Sequence, residues 1–149
     1  MLRVGSSPQS GRKYIRRPGA YVILARGDQV LLTQQHGADD PLQLPGGGID
    51  PGEQVIPALH REVLEETGWT MAKPRRVGAF RRFTFMPDYD MWAEKVCTIY
   101  LARPVRRLGP PLEANHTPVW MTSEEAAQVL DVPGDRYFVS QVFGLPWFV

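Results

Sequence analysis

The stretch Gly47–Trp69, GGIDPGEQVIPALHREVLEETGW, decides how the sequence folds and where its chemistry lies. A helical pattern runs over residues 53–67 and stops at Gly68, a residue type favoured just past the end of a helix. With Val55 placed at zero on a helical wheel of about 100° per residue, Leu59 lies at about 40°. The pattern therefore predicts a helix with an apolar stripe that faces the core.

This stripe changes from apolar to acidic toward the end of the predicted helix. Glu62 and Glu66 lie at about 340° and 20° on the same wheel, inside the apolar sector, and Glu65 lies on its edge at about 280°. Like charges this close repel, and partial burial makes each ionised carboxylate costly, so protons or cations must neutralise them. Mg²⁺ prefers oxygen ligands and also binds phosphate oxygens, so the cluster is a candidate Mg²⁺ site.

A solvated acidic helix end, stabilised by Arg61 and other basic neighbours, is the alternative interpretation of these glutamates. Two observations favour the metal site. No lysine or arginine follows Glu62 on the helix. The carboxylates also lie near the C-terminal end, where the helix dipole disfavours anions. Three acidic residues at this position reduce stability, which is typical of residues kept for function.

The segment resembles the Nudix box, a pattern of glycine, five residues, glutamate, seven residues and then Arg-Glu-aliphatic-x-Glu-Glu-x-Gly-aliphatic. Gly47 and Glu53 have the required spacing, and Arg61–Gly68 completes the pattern. Two positions depart from it. Trp69 stands at the last aliphatic position, and Pro57 lies inside the helical segment, in its predicted first turn, where N–H groups lack partners in any case. Neither departure affects a metal-binding position.

The resemblance implies a fold and an activity. The fold would be an α/β class Nudix-type α/β/α sandwich, with a mixed β-sheet and the Nudix loop-helix-loop. The activity would be divalent-metal-dependent hydrolysis of the diphosphate linkage in nucleoside diphosphate-X compounds, by water attack on phosphorus. The resemblance also implies that Mg²⁺ or Mn²⁺ is held by Glu62, Glu65, Glu66 and a backbone carbonyl, that of Gly47 or of Gly46.

Other residues take roles from the same resemblance. Glu62 would orient or deprotonate the attacking water as well as bind metal. Arg61 would hold the glutamates in place, in part through Glu53. A downstream acidic residue would supply a further metal ligand or the base; Glu113 is the candidate, and Glu94 competes with it.

Residues that select the substrate are expected outside the box. The candidates are basic and aromatic residues around a predicted loop at 86–91, namely Arg81, Tyr89, Trp92 and Lys95. Aromatic faces there could stack on a nucleobase, and cations could contact phosphates. Strand packing for the aromatic residues and solvated surface charge for the cations are the alternatives.

The rest of the sequence predicts further strands and helices around the box. The expected strands lie at 20–25, 29–35, 76–85, 92–102 and 119–121. Two helices are expected after the last strand. The first is capped by Thr122 and runs to about Leu130, and the second is capped by Asp135 and runs to about Phe143.

Composition limits the classes of function. The chain has 149 residues, which fit one domain; residues 1–13 are expected to be a mobile lead-in and 14–149 a single domain. A net charge of +1 is too balanced for a protein whose main function is to wrap nucleic acid. The single cysteine, Cys97, and the lack of a signal-peptide core or a bilayer-length apolar stretch predict a cytoplasmic protein. The three histidines, His36, His60 and His116, have no metal-ligand spacing and are expected to be structural or at the surface.

Several substrates stay open at this point. Nucleoside triphosphates and dinucleoside polyphosphates are the leading expectation, with ADP-ribose and nucleotide sugars as alternatives. RNA 5′ ends are favoured only if the arginine pairs line one groove; the pairs are Arg16-Arg17, Arg75-Arg76, Arg81-Arg82 and Arg106-Arg107. A catalytically silent nucleotide-sensing module is the alternative from a different class, although such modules usually lose box glutamates. The oligomeric state, including a homodimer, is open, and no membrane partner is expected.

Overall fold

The computed structural model describes residues 1–37 and 39–147, whose strands form one mixed sheet with helices on both faces. The strands are β1 Leu2–Arg3, β2 Ile15–Arg26, β3 Gln29–Gln35, β4 Leu42–Gln43, β5 Gly46–Gly48, β6 Trp69–Met86, β7 Met91–Arg107 and β8 His116–Thr122. The helices are α1 Val55–Thr67, α2 Ser123–Val129 and α3 Pro133–Phe143, with a short 3-10 helix at Pro87–Tyr89. The predicted α/β architecture with a mixed sheet is confirmed.

The strand order places β2 and β7 at the centre of the sheet. The order is β1-β6-β7-β2-β3-β4, while β5 pairs with β2 and β8 pairs with β3. The β2–β7 and β1–β6 pairs are parallel, and the other pairs are antiparallel. The long parallel β2–β7 pair therefore places β2, with which β5 and its loop at residues 45–54 are paired, next to the strand that carries Lys95.

Side chains of β2 point alternately to the two faces of the sheet and contribute to the hydrophobic core on both. Val22 and Leu24 are fully buried on one face, where they pack with Leu59 and Val63 of α1. Ile23 faces the other way and belongs to the cluster formed with α2 and α3. Because side chains of a strand alternate between faces, one strand can anchor the box helix on one side and the C-terminal helices on the other.

Helix α1 follows the prediction closely. It begins at Val55, two residues after the predicted start, so Pro57 lies in the first turn, where a missing N–H is tolerated. It ends where Gly68 adopts the left-handed conformation with φ 78°, and the Gly68 N–H donates to the Leu64 carbonyl at 2.9 Å. The glycine stop predicted from the sequence is confirmed.

Several boundaries and one cap differ from the prediction; β2 begins at residue 15 rather than 20, β7 continues to residue 107 rather than 102, and β8 spans His116–Thr122 rather than 119–121. Strand β6 begins at Trp69 rather than 76. Its pairing with β7 has a register shift between Ala72 and Arg75, where Lys73 has φ 55°, and this irregularity interrupts the alternation on which the prediction is based. The predicted cap at Asp135 is wrong, since α3 begins at Pro133 with Val132 as its N-cap. Asp135 lies in the first turn of α3 and is buried.

The lead-in at 1–13 contains an element that the sequence did not predict. Leu2 pairs in parallel with Phe80 of β6, and the Val4 N–H donates to the Arg81 carbonyl at 3.1 Å. The start of the chain therefore extends the sheet at its edge. Residues 148 and 149, included in the predicted domain, lie outside the described residues. Within the described part of the chain, no helix has the length and hydropathy of a membrane span.

Candidate active site

The last two turns of α1 place acidic side chains against the main chain of β5. Glu66 is only 6% exposed, and its Oε1 accepts a hydrogen bond from the Gly46 N–H at 3.1 Å. A Cβ atom at Gly47 would lie 3.1 Å from Glu62 Oε1, so glycine lets the main chain pass directly beside that carboxylate. Gly46 has φ 143°, and a Cβ there would lie 2.1 Å from the Ala20 carbonyl oxygen, so only glycine fits.

Glu113, on the loop before β8, joins the cluster of box glutamates. Its main-chain N–H donates to the Glu65 carbonyl at 3.0 Å, which ties the loop to the end of α1. The ligand atoms of Glu62, Glu65 and Glu113 lie within 4.8 Å of one another, and so do those of Glu66, Glu113 and His116. Glu113 therefore belongs to both groups. These distances allow the donors to share bound cations.

The competing candidate Glu94 lies elsewhere. Its carboxylate is 3.3 Å from Arg81 Nη1 and 3.8 Å from the Arg16 Nε, so two arginines already neutralise it. The structure thus brings Glu113, and not Glu94, to the box glutamates.

His116 orients Glu113. The ring is 8% exposed; its Nδ1 lies 2.9 Å from Thr33 Oγ1, and its Nε2 lies 3.2 Å from Glu113 Oε2. Burial lowers the pKa of His116, with the Glu113 charge opposing, which favours the neutral ring. A neutral ring with its proton on Nε2 satisfies both contacts, since it donates to Glu113 and accepts from the Thr33 hydroxyl. The sequence predicts a structural or surface histidine here, whereas the contact with the Glu113 carboxylate is visible only in the folded structure.

Arg61 bridges the carboxylates on the outer side of α1. Its Nη2 lies 3.2 Å from Glu53 Oε2 and 3.5 Å from Glu62 Oε1, and its Nη1 lies 3.2 Å from Glu65 Oε2. Glu53 is fixed in turn, because its Oε1 accepts the Asp50 N–H at 3.1 Å. One guanidinium thus faces three carboxylates, and the cluster keeps a net negative charge.

Burial and the charge of neighbouring carboxylates raise the pKa values of Glu62 and Glu66. Burial raises the pKa of Glu66 to about 9; the hydrogen bond from Gly46 opposes the shift, and the charges of Glu62 and Glu113 add to it. Burial also raises the pKa of Glu62, against the effect of Arg61. The raised pKa favours the protonated form of Glu66 when no cation is bound. A divalent cation could take the place of that proton, and the oxygen donors fit Mg²⁺ or Mn²⁺.

The two glycine carbonyls considered as ligands differ in direction. The Gly47 oxygen lies 3.1 Å from the point that a Cβ atom of Gly19 would occupy, so it faces β2. Successive carbonyls of an extended strand point in opposite directions, so the Gly46 carbonyl points away from β2. The geometry favours Gly46 over the predicted Gly47.

A groove on the opposite face from α1 is lined by three cations on neighbouring strands. Lys95 of β7 is in register with Arg17 of β2 on one side and with Arg82 of β6 on the other. Arg17 and Lys95 line a cavity of about 210 Å³ that also includes Gly48, so the groove begins at the β5 loop. Burial lowers the pKa of Lys95, and the charges of Arg82 and Arg17 contribute. We call Arg17, Lys95 and Arg82 the cation row.

Two of the four predicted substrate residues lie in this groove, and two do not. Tyr89 borders the same cavity as Lys95, with the Arg17 guanidinium 4.9 Å from its ring centroid. Arg81 is on the other face of the sheet, paired with Glu94. Trp92 is also on that face, with its ring 5.2 Å from Phe85 between centroids. Because side chains alternate between the two faces along β6 and β7, Arg81 and Trp92 lie on the face opposite to Lys95.

Asp135 closes the inner end of the groove. It is 4% exposed and lines a small cavity with Arg82, Lys95 and Tyr21. Burial raises its pKa to about 7; the charge of Arg82 and a hydrogen bond from the Leu44 main chain oppose the shift. Arg82 is a phosphate-contact candidate from the sequence, whereas Asp135 and Arg17 are not predictable as groove residues, because only the strand register and the path of α3 bring them together.

Asp135 should make stability depend on pH. Its folded-state pKa of about 7 lies above the ordinary 3.8, so the folded protein binds more protons than the unfolded chain between these values. The free energy of unfolding therefore falls as pH rises from about 4 through 7. Asp135→Asn removes this dependence, and we expect its Tm relative to wild type to rise by about 8 °C, or roughly 2.7 kcal/mol, from pH 5 to pH 8. Thermal melts in chelator test this, with the exposed Asp28→Asn as control; a Tm difference independent of pH would contradict it.

Comparison with known proteins agrees with this geometry. A putative 8-oxo-dGTP diphosphatase of Bacillus subtilis is 41% identical over 76 residues, 50% of this chain and 50% of the relative. An RNA pyrophosphohydrolase of Halorhodospira halophila is 36% identical over 67 residues, 45% of this chain and 37% of the relative. These matches span half or less of the relatives' lengths. A NUDIX hydrolase structure from Nitrosomonas europaea superposes with a TM-score of 0.71 at 19% identity, covering 87% of this chain and 89% of that one, which shows a shared fold. The family model of the NUDIX domain matches residues 15–142, and the chain belongs to this family.

Proposed function

We propose that the chain hydrolyses the diphosphate linkage of nucleoside diphosphate-X compounds, most simply nucleoside triphosphates or dinucleoside polyphosphates, in a reaction that requires Mg²⁺ or Mn²⁺. The observation that carries the proposal is the position of Glu113 among the box glutamates. The ligand atoms of Glu62, Glu65 and Glu113 lie within 4.8 Å of one another, and the Gly46–Gly48 segment runs beside Glu62. A nearby groove lined by cations offers a place for a polyanionic substrate. The name of the Bacillus subtilis relative supports a nucleoside triphosphate.

The chain's own groups have distinct roles in this proposal. Glu62, Glu65, Glu66 and Glu113 would hold the metal, together with the Gly46 carbonyl. A bound divalent cation supplies charge neutralisation of the diphosphate and lowers the pKa of water. Glu62 orients the water or accepts its proton.

Two further groups keep the carboxylates in position. Arg61 keeps Glu53, Glu62 and Glu65 in one arrangement through its three contacts. His116 holds Glu113 from the buried side. Both act through the carboxylates rather than on the substrate.

The groove residues would bind the part of the substrate away from the scissile linkage. The cation row places positive charge beside the β5 loop, where phosphates of a nucleotide would extend. Tyr89 is 55% exposed, so the part of its ring that the Arg17 guanidinium leaves uncovered could stack on a nucleobase, a contact that accepts any base. Arg81 and Trp92, on the other face, have no geometric support for a substrate contact.

RNA 5′ ends are a second candidate substrate. Two of the four arginine pairs, Arg75-Arg76 and Arg106-Arg107, lie near the paired ends of β6 and β7, although of these four residues only Arg75 lines the groove there. The name of the Halorhodospira halophila relative is consistent with this candidate. A silent sensing module is disfavoured because every box glutamate is present.

An assay over a panel of diphosphate compounds, with products identified, tests the activity. We expect hydrolysis in Mg²⁺ or Mn²⁺ and none in excess chelator, since the carboxylates alone repel a diphosphate. Pyrophosphate release would indicate cleavage between the α and β phosphates of a triphosphate. Full activity in chelator would exclude the metal mechanism, and tight nucleotide binding without turnover of any compound would favour the sensor.

Glu66→Gln distinguishes a metal ligand from a structural ion-pair partner. The variant keeps the size of the side chain and has no carboxylate to neutralise on burial, so we expect metal-free stability to be unchanged or higher by about 1 kcal/mol. It should lose most of its activity and much of the Tm increase caused by Mg²⁺, because ligands that bind only the folded state stabilise it. The exposed Glu124→Gln is the matched control. A Glu66→Gln protein that melts earlier without metal yet hydrolyses substrate normally would refute the assignment.

Tyr89→Ala tests the groove as the nucleoside site. We expect KM to rise about tenfold with kcat changed little, the pattern of lost uniform binding, since one stacked base contributes about 1–3 kcal/mol. Trp92→Ala removes a neighbouring aromatic residue on the other face and should leave KM unchanged. If Tyr89→Ala lowers kcat at constant KM, or if both variants raise KM equally, the groove is not the nucleoside site.

A further inference from the structure

Thr33 is a buried polar residue of β3 on the face of the sheet that α1 covers. Leu31, two residues earlier on the same strand, belongs to the hydrophobic cluster with Leu59 and Val63 of α1, and side chains two residues apart on a strand share a face. Thr33 itself is only 1% exposed. Burial of a hydroxyl group is unfavourable unless the group forms a hydrogen bond, so the partners of Thr33 indicate what the residue does.

Two acceptors lie near the Thr33 hydroxyl, and they differ in distance. His116 Nδ1 is 2.9 Å from Thr33 Oγ1, whereas the main-chain carbonyl oxygen of Glu66 is 3.5 Å away, at the limit for a hydrogen bond. The ring comes within reach through the β3–β8 pairing, in which His116 is opposite Gln35, two residues after Thr33. The closer partner of the hydroxyl is therefore the imidazole ring.

The position of Glu113 decides which nitrogen of the His116 ring carries the proton. Glu113 Oε2 is 3.2 Å from Nε2, so a proton on Nε2 lets the ring donate to a carboxylate. The opposite tautomer would direct the Nε2 lone pair at that anionic oxygen, and the two would repel. With the proton on Nε2, Nδ1 can only accept, and it accepts from the Thr33 hydroxyl. Two hydrogen bonds of fixed direction thus connect Thr33 to Glu113.

The side chain of Glu113 depends on this connection for its orientation. It is 40% exposed, and over residues 1–37 and 39–147 no basic group other than His116 lies within 4.0 Å of its carboxylate. The hydrogen bond from the Glu113 N–H to the Glu65 carbonyl fixes only the main chain. A glutamate side chain loses conformational entropy when it is held in one rotamer. A ring that already holds the carboxylate reduces the loss that would otherwise accompany cation binding.

The candidate ligands are therefore supported from two separate sides. Arg61 contacts Glu62 and Glu65 on the outer side of α1, whereas the Thr33–His116 pair supports Glu113 from the interior. A change at Thr33 removes the inner support without altering any contact of Arg61.

We propose that Thr33 is a positioning residue for metal binding: its hydroxyl orients the His116 ring, which holds the Glu113 carboxylate in place for a divalent cation. The inference rests on the proposed metal-dependent hydrolysis and extends it to a residue of β3, outside the box. In this arrangement His116 is not a metal ligand, because its Nε2 carries the proton that it donates to Glu113.

Nitrogen NMR of the metal-free protein tests the two hydrogen bonds. The chain has three histidines, and His116→Gln identifies the signals of His116. At pH 8, above the ordinary histidine pKa of about 6.5, we expect a neutral ring with its proton on Nε2. The Nδ1 signal should shift when Thr33→Val removes the hydroxyl donor and should keep its position in Thr33→Ser. A wild-type ring with its proton on Nδ1 would overturn the inference, and this result does not depend on how well any variant folds.

Mn²⁺ affinity, measured without substrate from the electron paramagnetic resonance signal of the free ion, tests the consequence for metal binding. We expect Thr33→Val to bind Mn²⁺ about fivefold more weakly than wild type and Thr33→Ser to bind within about twofold of it, the scale of one hydrogen bond behind a metal ligand. Thr70→Val is the matched control, because the Thr70 hydroxyl donates to the Arg106 carbonyl, outside the acidic cluster. It should bind Mn²⁺ like wild type. Equal affinities of wild type and Thr33→Val would contradict the inference.

The Mg²⁺ dependence of hydrolysis separates positioning from a general loss of structure. For Thr33→Val, the half-saturating Mg²⁺ concentration should rise about fivefold, and the rate at saturating Mg²⁺ should fall by less than that. A rate lowered by the same factor at every Mg²⁺ concentration would indicate a structural defect and overturn the inference. If wild type hydrolyses no compound while its Mn²⁺ affinity still depends on the Thr33 hydroxyl, the proposed function fails and the positioning role of Thr33 stands.

Discussion

The buried contact between the Glu66 carboxyl and the Gly46 N–H is the constraint on which the site depends. It joins the last turn of α1 to β5 at 3.1 Å, and β5 is itself paired with the central strand β2. The close approach is available only because position 46 lacks a side chain, with φ 143° and no space for a Cβ. The same contact buries a carboxyl group, and burial makes its ionised form unfavourable in free energy, so a proton or a cation must accompany it.

Charges in the rest of the sheet are separated by strand alternation. On β7, Glu94 faces one side and is neutralised there by arginines, while Lys95 faces the other side between Arg17 and Arg82. Adjacent arginines in the sequence, such as Arg81 and Arg82, therefore have different surroundings. Repulsion within the cation row is offset in part by one buried carboxyl, Asp135, which lies at its inner end.

What the sequence could predict was local. The box helix, its apolar stripe, its glycine stop and the acidic face all depend on contacts within about four residues, so periodicity and spacing were enough. The groove and the His116 contacts were not predictable in this way. Arg17 and Arg82 meet Lys95 only through strand register, and His116 meets Thr33 across 83 residues of chain. Asp135 looked like a helix cap, but Pro133 begins α3 earlier and turns the carboxyl into the interior.

The net charge of the chain is close to zero, but an acidic cluster and a group of basic residues lie next to each other at the end of α1. Glu65 and Glu66 are followed within a few residues by Gly68 and Trp69, and Trp69 pairs with Arg107. The glutamates at the end of α1 and the cations at the neighbouring end of the β6–β7 pair therefore produce opposite local potentials, although the net charge of the whole chain is only +1. A divalent cation held by the glutamates would reverse the sign of the potential on the acidic side, because such an ion is the largest local charge in a site of this kind.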